Sequence, residues 1–293
     1  MPDLRAELDG VRAFVLDADG VLMYRNAPIP GSAAAIRELR RRGLPYRVVT
    51  NFSSAHRSSL AAMFGKATGM EVDGAEIITA ASAAAAYTAS HHPGRPILLI
   101  STDDARREWA GQELVAVDEA DARTEPVAAV VIGDVGEALT FRELDIAFRQ
   151  LRAGADFIAM HRNPWWMTPK GFTLDSGAMI AGLEFALGRR AVICGKPSPV
   201  VFRQAVAELR AQLAGGPRPA GHPDPGSGLP RLRTTDVAMV GDDPKADYAA
   251  ARRVGMRAVV VTTGKVSAEE ASAAGVPACR IAGSLEEVVA ALP

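Results

Sequence analysis

The chain has 293 residues, 48% of them hydrophobic, enough for one large domain or two ordinary ones with a sizeable buried core. Its 33 Lys and Arg residues nearly balance 34 Asp and Glu, for a formal net charge of -1, which removes any general electrostatic reason to expect nucleic acid or an anionic membrane surface as a partner. Cys194 and Cys279 lie far apart and form no metal-type pair, so a disulfide framework is not expected and a reducing cytoplasm fits. The start, Met1 to Gly10, lacks the apolar run of a signal peptide, and no apolar stretch reaches the ~20 residues of a membrane-spanning helix.

Strand and helix patterns alternate along the chain. Ala13 to Leu16 is an apolar run that predicts a fully buried strand, and Asp17-Ala18-Asp19-Gly20-Val21-Leu22 follows at its carboxyl end. Ser32 to Arg42 predicts a helix closed by Gly43 and Pro45, and Tyr46 to Val49 the next strand, with Thr50-Asn51-Phe52-Ser53-Ser54 after it. Helical patterns cover His56 to Lys66 and Ile78 to Ser90. Such alternation implies βαβ units and a mostly parallel sheet.

After His92-Pro93-Gly94 a second unit is inserted, with strand candidates at Ile97 to Ile100, Leu114 to Val117, Ala128 to Ile132 and Phe157 to Met160. Helices are expected over Asp104 to Gln112, Thr140 to Arg152 and Gly177 to Leu187. His161 to Gly171 reads as a loop rich in aromatic, Pro and basic residues. Val192 to Cys194 is again a buried strand, followed by Gly195-Lys196-Pro197 and a helix over Pro199 to Leu213. Gly215 to Pro230 has loop composition and reads as an excursion. Asp236 to Val240, Gly241-Asp242-Asp243-Pro244-Lys245-Ala246-Asp247, Arg257 to Val261 and a helix over Leu285 to Leu292 complete the pattern. The expected division is a discontinuous core of residues 1–80 and 190–293 around an inserted unit of residues 81–189.

Four strand ends thus carry polar groups: Asp17 with Asp19, Thr50 with Asn51, Lys196, and Asp242 with Asp243 and Asp247. A parallel sheet gathers its strand ends along one edge, where α/β folds bind ligands. Together these groups supply what phosphoryl transfer requires: a nucleophile, a proton donor, a divalent cation and fixed positive charge. Each also has a plain structural use. Thr50-Asn51 fits a helix cap and turn, Lys196 a solvated loop lysine, and Asp242-Asp243-Pro244 a helix cap. Gly133-Asp134 also ends an apolar strand, but no acid follows five residues later, and it reads as a structural turn.

Asp17-Ala18-Asp19-Gly20-Val21, Thr50-Asn51, Gly195-Lys196-Pro197 and Gly241-Asp242 to Asp247 resemble, in order, the four motifs of the haloacid-dehalogenase-like hydrolases, and the inserted unit resembles the α/β cap of the 4-nitrophenylphosphatase-like subclass IIA. The resemblance implies an α/β fold, a Rossmann-like parallel-sheet hydrolase core with an inserted α/β cap domain. It implies a Mg²⁺-dependent phosphatase with Asp17 as nucleophile, Asp19 as acid and base, and Lys196 as the catalytic cation. Thr50, Asn51 and Lys196 would bind phosphate. Asp17, the Asp19 carbonyl and Asp242 would hold Mg²⁺, with Asp243 and Asp247 behind them. The expected substrate is a small phosphate monoester, a phosphoramidate or pyrophosphate. Leaving-group specificity is expected from Trp165, Trp166 and Lys170 in the inserted unit and from Ser53 and Ser54 on the core side. The tryptophans also suit packing of the cap, or a homodimer through it. The competing classes are a phospho-acceptor switch, for which the chain is too long and Asp19 superfluous, and a nonenzymatic phosphate-binding protein.

Overall fold

The computed structural model describes residues 3–25, 27–168, 171–215 and 231–293. Of the expected excursion, everything after Gly215 lies outside the described residues, as does Lys170. In chain order the strands are β1 (Ala13–Asp17), β2 (Met23–Tyr24), β3 (Ala27–Pro28), β4 (Tyr46–Thr50), β5 (Ile77–Thr79), β6 (Ile97–Ile100), β7 (Leu114–Val115), β8 (Ala129–Ile132), β9 (Asp156–Ala159), β10 (Trp165–Thr168), β11 (Gly171–Leu174), β12 (Val192–Ile193), β13 (Val237–Gly241), β14 (Arg257–Val261) and β15 (Ile281–Ala282). Two compact units result: Met1–Thr50 with Leu60–Ile78 and Lys196–Pro293, and Asn51–Ser59 with Thr79–Gly195.

The first unit holds a sheet of order β15-β14-β13-β1-β4-β5. β1 runs parallel to both β13 and β4, as do β13 to β14 and β14 to β15. The chain builds outward from β1 through β4 to β5 on one side and from β13 to β15 on the other. The order therefore reverses between β1 and β13, the crevice where open α/β sheets take ligands. Leu16 lies beside Val240 and Asp17 beside Val49, so β1, β4 and β13 end at one edge.

Every residue of β1 is buried because helices cover both faces of a parallel sheet. Phe14 and Leu16 pack with Ile36 and Leu39 of the helix Ser32–Arg41, and with Val48 and Val240. Fully burying one such side chain is worth about 1.5–3 kcal/mol. Arg47 interrupts the apolar run of β4, and its charge is met inside: Nε donates to Glu208 at 2.9 Å and Nη1 to the Gln212 side chain at 2.8 Å.

The second unit is a smaller parallel sheet of order β12-β9-β8-β6-β7, with its own core of Leu98, Ile100, Val130, Ile132 and Phe157 against Ile146 and Leu151. Here the order reverses between β6 and β8. The α/β architecture of core and insertion is the expected one. Several of its details differ, three of them as follows.

The helix expected from Ile78 begins at Ala80, because Ile77–Thr79 pairs into the first sheet as β5 and Thr79 caps the helix by accepting from the Ser82 N–H. β-Branched residues favour that strand. Residues 161–171 are not all loop: β10 and β11 form an antiparallel hairpin with Trp165 opposite Leu174 and Trp166 opposite Thr173. Its strands are four residues each, too short for alternation to stand out among Pro and aromatic residues.

The third difference is the segment Asn51–Ser59, which groups with the second unit and not with the expected core. Thr102 Oγ1 donates to the Ser54 carbonyl at 2.7 Å, Asp104 accepts from the His56 N–H at 2.9 Å, and Glu108 pairs with Arg57 at 2.7 Å. These contacts join residues about fifty apart, which no local pattern announces.

Candidate active site

β1 delivers Asp17 to the sheet edge, 4% exposed. Its Oδ1 accepts from the Ala18 N–H at 2.7 Å and lies 2.6 Å from Lys196 Nζ. Lys196, 5% exposed, also donates to Asp247 Oδ1 at 2.8 Å. One oxygen each from Asp17, Asp242 and Asp247 lie within 4.8 Å of one another. The crevice at the β1–β13 reversal therefore gathers three buried carboxylates around one buried ammonium.

The segment after β13 sets the last two acids. Asp243 caps the following turn, its Oδ1 accepting from the Lys245 and Ala246 N–H groups at 2.8 and 2.9 Å. Pro244–Ala249 is a π-helical turn, a widened form frequent at functional sites, and Asp247 lies within it. Asp247 Oδ2 accepts from the Asp243 N–H at 3.1 Å, so both of its oxygens are engaged. Asp242 differs. Its Oδ2 accepts from the Lys265 N–H at 2.8 Å, but Oδ1 is buried without a hydrogen-bond partner. Two glycines make room for this carboxylate: a Cβ on Gly20 would lie 2.1 Å, and on Gly264 2.0 Å, from Asp242 Oδ2.

Burial penalises charge, and in this crevice it competes with the neighbouring charges. Burial raises the Asp17 carboxyl, with Lys196 pulling against it and Asp242 adding to it. Burial pushes Asp242 up to about 6. Asp247 is pushed up to about 7 by burial and by the neighbouring Asp17 charge. Burial works against the Lys196 cation, but Asp17 and Asp247 outweigh it, and its pKa is raised. A surplus of buried negative charge with one unbonded carboxylate oxygen is the donor set a divalent cation fits.

The other candidates are placed as follows. Asp19 is exposed, one residue before Gly20, whose φ of 76° turns the chain away from the strand. Thr50 ends β4 and is 5% exposed. In the second unit, Asn51 Nδ2 donates to Asn163 Oδ1 at 3.3 Å, and the Ser53 hydroxyl lies 2.9 Å from His161 Nε2. Ser54 is half-buried, its carbonyl bonded to Thr102. Trp165 is 54% and Trp166 50% exposed, and Trp165 meets Phe172 edge to face at 4.8 Å.

Asp247 thus joins Asp17 and Asp242 in the acidic group, while the Asp243 side chain serves the following turn and pairs with Lys265 Nζ at 3.3 Å. Sequence reasoning missed Lys265 and His161. Lys265 follows β14 by four residues and His161 follows β9 by two, so extending the strand-end rule to every strand finds both.

Comparison with known proteins gives the family of the chain. A family model described as haloacid dehalogenase-like hydrolase matches residues 14–114, and a second, HAD-hydrolase-like, matches residues 193–288. The bovine phospholysine phosphohistidine inorganic pyrophosphate phosphatase is 31% identical over 264 residues, covering 88% of this chain and 85% of that protein. The acid sugar phosphatase of Staphylococcus saprophyticus is 27% identical over 278 residues, with 95% and 96% covered. Among solved structures, the p-nitrophenyl phosphatase from Archaeoglobus fulgidus superposes with a TM-score of 0.80 at 27% identity, over 96% of this chain and 99% of that one.

Proposed function

The chain belongs to the haloacid dehalogenase-like hydrolase family as one of its phosphatases, and we propose that it is a Mg²⁺-dependent one that hydrolyses small phosphate monoesters, phosphoramidates or pyrophosphate through an aspartyl-phosphate intermediate. The observation that carries this reading is the buried Asp17–Lys196 pair, set in an acidic group whose Asp242 keeps one oxygen unbonded. Asp17, Asp242 and the Asp19 carbonyl would hold the cation, with Asp247 orienting Lys196. Bound there, Mg²⁺ would neutralise carboxylate and phosphoryl charge.

The chain's own residues then divide the work. In the first half-reaction a carboxylate oxygen of Asp17 bonds to phosphorus as the bond to the leaving group breaks, and Asp19 gives that group its proton. In the second, Asp19 takes a proton from water, the water oxygen bonds to phosphorus, and the bond from phosphorus to Asp17 breaks. Inorganic phosphate leaves and Asp17 is again a carboxylate. Lys196 offsets charge throughout, and the Thr50 hydroxyl and Asn51 amide donate to phosphoryl oxygens.

Ser53, Ser54, Trp165 and Trp166 would contact the leaving group, in the manner of cap loops that decide substrates on a shared core. The exposed hairpin equally suits a homodimer through the inserted unit, which sedimentation would detect. Two free cysteines accord with a cytoplasmic setting, and among the described residues no helix is long and apolar enough to cross a membrane.

The test is steady-state kinetics on 4-nitrophenyl phosphate, sugar phosphates, pyrophosphate and phosphoramidates, with Mg²⁺ and with EDTA, for the wild type and Trp166→Ala. Turnover should vanish in EDTA, and Trp166→Ala should reorder the larger substrates while sparing 4-nitrophenyl phosphate. Turnover that survives EDTA removes the metal from the mechanism. An unchanged ranking removes the hairpin from specificity.

A further inference from the structure

The second unit carries a buried polar cluster at the carboxyl edge of its own sheet, and the reading above gives a role to its Ser53 but none to its His161. His161, 2% exposed, follows β9, and its Nδ1 accepts from the Asn163 N–H at 3.3 Å. With Nδ1 accepting, the ring's proton sits on Nε2. Burial lowers the pKa, although the Asp175 and Asp134 carboxylates favour the cation, so the ring is neutral near neutral pH. Nε2 lies 2.9 Å from Ser53 Oγ. The same oxygen accepts from the Asp134 N–H at 3.3 Å.

A hydroxyl has two acceptor lone pairs and one proton. Two N–H groups take the lone pairs of Ser53, and neither bond uses its proton. Ser53 is thereby fixed as a donor. The cluster is not a nucleophile array, since there the imidazole must accept the serine proton and a carboxylate must stand behind the other ring nitrogen. Here Asp175 Oδ1 lies 3.6 Å from Nε2 itself.

The turn that carries His161 also holds Asn51, through Asn163 Oδ1. Its close packing requires two glycines: a Cβ on Gly177 would lie 2.2 Å from the Asn163 carbonyl oxygen, and one on Gly195 2.6 Å from Asn51 Oδ1. One turn therefore sets the first polar side chains after Thr50.

We propose that His161 is a positioning residue that, as an Nε2–H donor, holds the Ser53 hydroxyl so that its proton is presented to an acceptor oxygen of the substrate. This rests on the phosphatase reading. The experiment compares Ser53→Ala, His161→Phe, His161→Gln and the double variant Ser53→Ala/His161→Phe in the full chain, on the best substrate of the panel with Mg²⁺. One hydrogen bond is worth about tenfold. Ser53→Ala and His161→Phe should each raise KM by about that factor with kcat less affected, and the double variant should be no worse than Ser53→Ala alone. His161→Gln, whose amide can donate from near the same place, should recover most of the loss. Independent, multiplying losses in the double variant overturn the proposal. So does a His161→Gln protein as impaired as His161→Phe. Should His161→Phe fail to fold, Ser53→Ala with His161→Gln carries the test. The ¹⁵N shifts of the His161 ring read the proton's position without any turnover. An imidazolium or an Nδ1–H tautomer overturns the proposal, whereas the expected tautomer in a wild type that turns over no phosphate ester overturns the phosphatase reading.

Discussion

At the carboxyl ends of β1 and β13, three buried carboxylates face one buried ammonium. At the carboxyl ends of β6, β8 and β9, the corresponding groups are a threonine hydroxyl, a backbone N–H and an imidazole, and all three are bonded to the segment 51–59 of the same chain. Both sheets are parallel, both reverse their strand order in the middle, and both end in polar residues at the reversal. The difference lies in what saturates the edge. The second unit's edge is occupied by its own polypeptide, through hydrogen bonds and an ion pair, Arg57 with Glu108, whose charges match. The first unit's edge keeps unbalanced charge and an unbonded carboxylate oxygen. Strand topology makes such crevices, and only the charge left unsatisfied in them tells a reactive site from a structural joint.

The largest effect should come from Asp17→Asn, which removes the proposed nucleophile while keeping size. Turnover should fall to background with the circular dichroism spectrum and the melting temperature preserved, because Lys196 retains Asp247. An Asp17→Asn protein with near wild-type turnover means that the charged edge is no more reactive than the charge-matched one. Asp19→Asn comes next, at roughly 10²–10⁴-fold in rate. The loss should be smaller for 4-nitrophenyl phosphate than for an alkyl phosphate, since nitrophenolate leaves with less help from a proton. Equal losses on both substrates would make Asp19 structural.

The smallest effect is on stability, and it separates the two edges directly. Burial raises the folded pKa of Asp242 to about 6 and of Asp247 to about 7, from an ordinary 3.8. Between those values the folded chain binds more protons than the unfolded one. Their contribution is thus fully present below pH 3.8 and is lost as pH rises through about 7. Urea unfolding of the metal-free protein should give lower stability at pH 7.5 than at pH 5, with Mg²⁺ restoring part of the difference. A metal-free protein that grows more stable over this interval would show that the acidic edge carries no surplus charge.

Much of the first edge was legible in the residues. Ala13 to Leu16 is apolar throughout, so a buried strand followed at once by Asp17 can be read locally, and the same holds for Val237 to Val240 before Asp242. The alternation of strands and helices carried the fold class for the same reason: burial on both faces leaves an unbroken apolar run. The hairpin at Trp165–Leu174 was not legible, because two strands of four residues leave too few alternations to count. Lys265 was not legible as a partner of Asp242, because it stands four residues beyond β14 and its backbone N–H meets Asp242 across 23 residues of chain.

The sequence by itself determined where the acids, the lysine and the glycines stand relative to strand ends, since that depends on neighbours along the chain. Only the tertiary structure decided their pairing. Asp247 and Lys196 are 51 residues apart, and it is the π-helical turn at Pro244–Ala249 together with the end of β1 that brings both to Asp17. Asn51 to Ser59 likewise follows a core strand in sequence yet bonds to the inserted unit. Hydrogen bonds and ion pairs act over about 3 Å, and what comes within that distance is set by sheet register and helix geometry, which no stretch of sequence contains alone.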